Sequence, residues 1–454
     1  MGTWKPQTEV GRNSMSESGH PNVIVFVTHD TGRHFGCYGI DTVHSPNIDR
    51  LADEGMRFDR FFAASPMCSP SRAAAFSGLY PQANGVMGLV HAPWHWRYND
   101  GVQHLSHYFR AAGYRTAAAG IVHESHTPGE SLGFDEYQRG AHADDVMAAG
   151  LPMLEKLATE DRPFYLQMGT FQTHAPFDFK GVEPDSEHGV YLPPQYVETE
   201  RARGEFAAFQ GSIRHVDAAF GELLAALDRL NLTENTLVVF TVDHGIDFPR
   251  AKATLYDPGL SVALLMRWPG RIGAGSTSDA LLSNVDLTPT LLELAGVAVP
   301  ADLHGCSFAD LCRGSHNGPV RDAVFGEHTA VSTVPDTRCI RTERWKLIRS
   351  FFPSRQYRTP IDLDKPMKGG ISPEVSTPFA ELYDLEKDPL EFSNLACEPD
   401  HADTLRELNG ALLSHLRDVN DPILDGPIRW PYYEEAIADL MTCEEPGGPT
   451  SCEC

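Results

Sequence analysis

The sequence predicts an α/β fold: a large, mostly parallel sheet sandwiched by helices, with a smaller C-terminal antiparallel α+β domain. Two observations carry this. From residue 22 to about residue 300, short apolar runs alternate with amphipathic ones, the pattern of strand–helix–strand units. After about residue 335 the runs become closely spaced and strand-like, with one closing helix. A chain of 454 residues exceeds one typical domain, in keeping with a large unit plus a small one. The expected division is a disordered leader at 1–20, the main α/β domain at 21–335, the small domain at 336–420 and an extension at 421–454.

The elements follow in order. "NVIVFVT" (22–28) is a buried strand, and "SPNIDRLADEG" (45–55) a helix with Ser45 as cap and Pro46 at its first position. "VQHLSHYFRAAG" (102–113) is helical, "YRTAAAGI" (114–121) extended and "PFYLQMGTF" (163–171) another strand. A long helix carries Phe206, Phe209, Ile213, Val216, Phe220, Leu223, Leu227 and Leu230 at steps of three or four along one face. "NTLVVFTV" (235–242) and "SVALLMRW" (261–268) are strands, and "DLTPTLLELAG" (286–296) is a helix. In the small domain "DTRCIRTERWKLIRSF" predicts a hairpin, "FAELYDLEKDP" a strand and turn, and "ADTLRELNGALLSHLRDV" the closing helix.

Charge narrows the function. The formal net charge is −25, which repels nucleic acid and anionic membranes, so neither is expected as a partner. A small ligand entering a locally cationic cleft suits this surface better. Residues 1–20 are polar and lack the apolar core of a secretory signal, so a cytoplasmic location is expected. Nine cysteines, an odd number, show no disulfide-framework spacing.

In a parallel sheet, ligands bind beyond the carboxyl ends of the strands. The first strand ends in Thr28, His29 and Asp30. The strand at 114–121 runs into His123, the one at 163–171 into His174, and the one at 235–242 into Asp243 and His244. Four strand ends thus deliver two Asp and four His to one rim, a pattern that predicts a shared site. Asp30, Asp243 and His244 make a divalent-metal set; the carboxylates favour Ca²⁺ or Mg²⁺, and an imidazole admits Mn²⁺ or Zn²⁺. His29 is the weaker member, because side chains alternate along a strand and it could face away from Asp30.

"PMCSPSRAAAFSG" (66–78) places Cys68 at the start of a predicted helix, with Pro70 in the first turn and Gly78 at the end. Unpaired N–H groups there favour an anion, and Arg72 lies one turn along on nearly the same face. A cysteine-dependent phosphatase needs five residues between Cys and Arg, and here there are three. A buried structural cysteine would leave the Pro-Ser-Arg sequence unexplained.

Cys68-Ser69-Pro70-Ser71-Arg72, followed by Ser77-Gly78, resembles the C-x-P-S-R signature of the type I sulfatases, members of the alkaline-phosphatase-like superfamily. "PNVIVFVTHD", "SPNIDRLADEGMRFDRFF", "TVDHG", "SNVDLTPTLLELAGV" and "LYDLEKDPLEFSNLA" resemble further segments of that family, in family order, over about residues 21 to 420. "CSPSRAAAFSGLYPQANGVMGL" and "HGIDFPRAKATLYDPG" are closest in look to the heparan N-sulfatases (sulfamidases) and their bacterial relatives. There are departures. His29-Asp30 stands where most sulfatases have two adjacent Asp. Asp243-His244 replaces the usual Asp-Asn, as in phosphonate monoester hydrolases and choline sulfatases. The lysine expected shortly before His123 is absent.

The resemblance implies a hydrolase acting on a sulfate ester or sulfamate, with a phosphonate monoester or phosphodiester hydrolase as the alternative and a non-catalytic anion-binding protein as the third reading. It implies oxidation of Cys68 to formylglycine by a maturase. It also implies one divalent cation, calcium first with manganese or magnesium as alternatives, at Asp30, Asp243, His244 and His29. Sulfate would then lean on Arg72, His123, His174 and Lys252, with His174 or His123 protonating the leaving group. Glu327, His328 and Arg338, in "GEHTAVSTVPDTR" (326–338), are expected to line the mouth. The expected partner is a small anionic sulfated substrate; homo-oligomerisation is left open.

Overall fold

The computed structural model describes residues 19–316, 318–329, 336–352, 360–364 and 378–442. Residues 1–18 of the expected leader and 443–454 of the extension lie outside that set.

The main sheet has eight strands. In spatial order they are Glu136–Gln138, Arg115–Gly120, Phe164–Gly169, Asn22–Thr28, Thr236–Val242, Leu264–Arg267, Met56–Phe58 and Ser276–Ser278. The first five run parallel, so their carboxyl ends share one rim. Leu264–Arg267 is reversed against both neighbours. The central strand is buried along its whole length, as its unbroken apolar run requires.

Helices cover both faces. The long helix, Glu200–Arg229, packs Phe206, Phe209, Ile213, Val216, Phe220, Leu223 and Leu227 into the core. It also does a second job. Asp217 accepts hydrogen bonds from the backbone N–H of Asn47 (2.9 Å) and of Ile48 (2.8 Å), at the start of the helix Pro46–Glu54. The expected cap, Ser45, caps nothing with its side chain: its Oγ is taken by the Gly36 N–H and by Asp49. A carboxylate from another helix satisfies the open amides instead.

The structure adds a helix that the sequence reading does not contain, Ala143–Leu157. Its Pro152 argues against a helix locally. Val146, Met147, Met153, Leu154 and Leu157, all buried on one side, outweigh it.

Ala323–His328, Thr337–Thr342, Trp345–Ser350 and Ala380–Asp384 form a separate antiparallel sheet. Its first strand lies upstream of residue 336. The helix Ala402–Asp418 closes it, burying Leu408, Leu412 and Leu416 against Ile340, Leu347 and Leu382.

Candidate active site

The rim holds the predicted cluster. Asp30 sits just past the central strand with φ 46°, a left-handed turn that breaks strand alternation. For that reason His29 does not face away: its Nδ1 lies 3.8 Å from Asp30 Oδ1 and 3.1 Å from Asp243 Oδ2. Two strand ends are clasped together here. The Asp243 N–H donates to the Thr28 carbonyl (3.2 Å), and the Asp30 N–H donates to Asp243 Oδ1 (2.9 Å). The His244 N–H donates to that same oxygen (2.9 Å).

Cys68 opens the helix Cys68–Ser77, every residue of which is buried. The Pro-Ser-Arg sequence now has a structural role. Ser71 Oγ donates to the Asp243 carbonyl, and Arg72 Nε donates to Asp243 Oδ2 (3.1 Å). Asn284 Nδ2 in turn donates to Ser71 Oγ (2.9 Å). The helix is therefore pinned to the turn that carries Asp243 and His244. The Cys68 thiol, free of any disulfide, stands 3.3 Å from His244 Nε2 and 3.9 Å from Asp30 Oδ1. Burial and the Asp30 carboxylate oppose its ionisation, but Lys252, His244 and His29 outweigh them and hold its pKa well below the usual thiol range.

The donor set fits a divalent cation. Ligand atoms of His29, Asp30, Cys68 and Asp243 all lie within 4.8 Å of one another. All four residues are buried, and neither ring nitrogen of His29 has a hydrogen-bond partner among the described residues. Buried carboxylates and an unsatisfied imidazole aimed at one point are what an ion would satisfy. His244 stands beside this group, with Nε2 2.9 Å from Asp30 Oδ1 and Nδ1 2.9 Å from the Gly245 carbonyl oxygen. Burial disfavours its charge, yet Asp243, Asp30 and Cys68 raise its pKa well above the ordinary histidine value.

The cationic side is also assembled. Lys252 Nζ lies 2.6 Å from Asp30 Oδ2 and 2.8 Å from His174 Nε2. Lys252 has only protons to give, so His174 Nε2 accepts and its Nδ1–H donates to the Ala175 carbonyl (2.6 Å). Burial of Asp30 would raise its pKa; Lys252 and His244 overcome this and hold it well below the carboxylate range. His123 completes the rim, its ring 5.6 Å from that of His29.

Two residues enter that sequence reasoning missed. Asp247 Oδ2 is 3.3 Å from Lys252 Nζ and 3.6 Å from His174 Nδ1. Its place three residues after His244 was the available signal. His91 lies against His123, and nothing in "GLVHAPW" announces it.

One expectation is corrected. Glu327, His328 and Arg338 do not stand at an open mouth: all three are buried. Arg338 forms a two-pronged pair with Asp421, its Nη2 3.0 Å from Oδ1, and donates from Nη1 to the His328 carbonyl (3.1 Å). Glu327 accepts from the Thr329 hydroxyl (2.8 Å). These residues join the small sheet to the segment after its closing helix.

Comparison with known proteins identifies the family. Residues 21–297 match the sulfatase family, and residues 248–368 match the C-terminal part of N-sulphoglucosamine sulphohydrolase. An ulvan-active sulfatase of Formosa agariphila is 30% identical, over 95% of this chain and 88% of its own. N-sulphoglucosamine sulphohydrolase of Homo sapiens is 27% identical, over 89% of this chain and 92% of its own. A structure solved in complex with its substrate D-glucosamine-2-N,6-O-disulfate shares the fold, with a TM-score of 0.71 at 21% identity, covering 90% of this chain and 99% of that one. A clustered rim around Cys68 and a match over most of the chain's length lead to one assignment: this protein belongs to the sulfatase family, hydrolases on an alkaline-phosphatase-like fold.

Proposed function

We propose that this protein removes sulfate from a small sulfated saccharide, as an O-sulfate ester or a sulfamate, using a formylglycine formed from Cys68 and one divalent cation. The observation that carries this is the Cys68 side chain. It opens a buried helix and shares a 4.8 Å cluster with His29, Asp30 and Asp243. The match of residues 248–368 to the N-sulphoglucosamine sulphohydrolase C-terminal part supports an amino sugar as the organic portion.

Cys68, once converted to hydrated formylglycine, would supply two hydroxyls on one carbon, one nucleophilic toward sulfur and one able to lose its proton as sulfate departs. Asp30, Asp243, His29 and His244 would hold the cation, calcium by preference with manganese or magnesium as alternatives, which supplies Lewis acidity toward the sulfuryl oxygens. Arg72 fixes the Asp243 carboxylate through Nε and brings positive charge beside it. Lys252, bonded to both Asp30 and His174, would offset the charge that builds on the sulfuryl group. His174 or His123 would carry the proton to the leaving oxygen or nitrogen.

The test is sulfate release from N-sulfoglucosamine, O-sulfated sugars, choline sulfate and aryl sulfates, with phosphonate monoesters and phosphodiesters assayed in parallel. The proposal expects kcat/KM to be highest for a sulfated sugar. Faster turnover of phosphonate or phosphodiester would favour the reading suggested by the Asp243-His244 pair. No turnover of any member, with Cys68 unmodified, would leave a non-catalytic anion binder.

A further inference from the structure

A second group of ligand-type side chains lies apart from the rim. His142, Asp144 and His215 meet where the helix Ala143–Leu157 begins against the middle of the helix Glu200–Arg229. We propose that these three residues form a binding site for a borderline transition-metal ion such as zinc, separate from the catalytic cation.

The distances carry the first part of the argument. Ligand atoms about 2.0–2.1 Å from a tetrahedral ion stand about 3.3 Å apart. His142 Nδ1 is 3.3 Å from Asp144 Oδ2, and His215 Nε2 is 3.0 Å from Asp144 Oδ1. The carboxylate thus turns one oxygen toward each ring, and with one donor atom from each residue the three lie within 4.8 Å of one another.

The protonation pattern carries the second part. His142 Nε2 lies 3.3 Å from the Phe179 carbonyl oxygen, to which its N–H donates. Nδ1 is thereby left as the lone-pair atom, facing Asp144 and His215. A backbone carbonyl holding the far nitrogen is the usual support of a metal-ligating histidine. His215 Nε2 is a buried atom with no hydrogen-bond partner despite the carboxylate 3.0 Å away. That close approach without a formed hydrogen bond is an edge that a shared cation would satisfy.

A simpler account makes His142 a helix cap, since its Nδ1 accepts from the Asp144 N–H. That contact is long, at 3.4 Å, and it leaves His215 unexplained. Lys180 does not neutralise the group: its ammonium is on Asp145, at 2.6 Å. Two imidazoles and one carboxylate suit zinc, copper or nickel better than calcium, which takes oxygen ligands. The exposed side of Asp144 leaves room for water as the fourth ligand.

An ion here would join two helices and steady the segment that holds His174. The Phe171 N–H donates to the Ala141 carbonyl (2.7 Å), and the Ala143 N–H donates to Gln172 Oε1 (2.6 Å). Phe171 in turn stacks on His174 with ring centres 4.6 Å apart.

The experiment titrates zinc into the full chain held in saturating calcium, followed by calorimetry and by thermal melting. The expected result is one equivalent of zinc bound with a rise in Tm. His215→Gln should weaken zinc binding at least about tenfold and abolish the Tm rise, and so should Asp144→Asn, both with calcium binding unchanged. Asp144 is exposed, so its replacement keeps the test meaningful if His215→Gln folds poorly. No zinc uptake by the wild type, or equal uptake by both variants, would overturn the proposal.

Discussion

The imidazoles of His91 and His123 lie stacked, 10° from parallel, with Nδ1 of His91 3.1 Å from Nε2 of His123. Trp94 closes edge-on against His91 at 5.0 Å, which fixes the ring that in turn orients His123. His91→Phe keeps a stacked ring and removes the nitrogen. Loss of one orienting hydrogen bond, worth about 1 kcal/mol, should lower kcat/KM about fivefold. Steady-state kinetics measures this, and an unchanged value would reduce His91 to packing.

Asp30→Ala and Asp243→Ala should each abolish cation binding and lower activity by about a thousandfold or more. Elemental analysis and turnover together check this. The two variants should differ in stability. Asp243 is acceptor to two backbone amides and to Arg72, so its loss leaves several buried donors unpaired and should lower the melting temperature more. Full metal occupancy in Asp243→Ala would mean that the ion sits elsewhere.

Conversion of Cys68 to formylglycine should make its peptide lighter by about 18 Da. Cys68→Ser, if left unconverted, keeps one attacking oxygen and lacks the second hydroxyl. It should therefore stop after at most one turnover as a serine sulfate ester, visible as a stoichiometric adduct in the intact mass. Sustained turnover by that variant would show that water completes the cycle.

Glu327 offers a pH test. Burial outweighs the nearby Arg338 and raises its pKa from 4.5 to about 7. Between those values the folded protein holds a proton that the unfolded chain has released, so this group makes stability fall as pH rises. Glu327→Gln cannot ionise. Relative to wild type it should gain stability from pH 4.5 to 7.5, by up to about 3 kcal/mol. Urea unfolding at the two pH values gives the difference; a flat difference would mean that Arg338 already keeps Glu327 charged in the fold.

Asp217→Ala should remove the cap of the helix Pro46–Glu54 and cost about 2 kcal/mol, since two backbone amides lose their acceptor. Ser45→Ala should cost less, because its hydroxyl is not the cap. Equal losses would reverse that ranking.

The contrast between Asp217 and Ser45 shows where the sequence is legible. The apolar runs Asn22–Thr28 and Thr236–Val242 state their own burial, and the strand-end rule brought His29, Asp30, His123, His174, Asp243 and His244 to one rim. Those signals are local. Asp217 acts 170 positions from Asn47, and Arg338 meets Asp421 at a separation of 83, so neither partnership leaves a local trace. Polar residues such as Glu327 and Arg338 read as exposed until their partners are known. The reversal of Leu264–Arg267 is equally silent, because an apolar strand looks alike in either direction.

The burial of the helix Cys68–Ser77 has a consequence for how the protein comes into being. With the side chain of Cys68 enclosed and its helix pinned by Ser71 and Arg72 to the Asp243 turn, a second protein has no route to the thiol in the finished molecule. Any enzyme that oxidises Cys68 must meet the nascent or still-open chain. If Cys68 is oxidised as proposed, maturation and folding would then compete in time, and a molecule that folded first would keep its sulfur until it unfolded again.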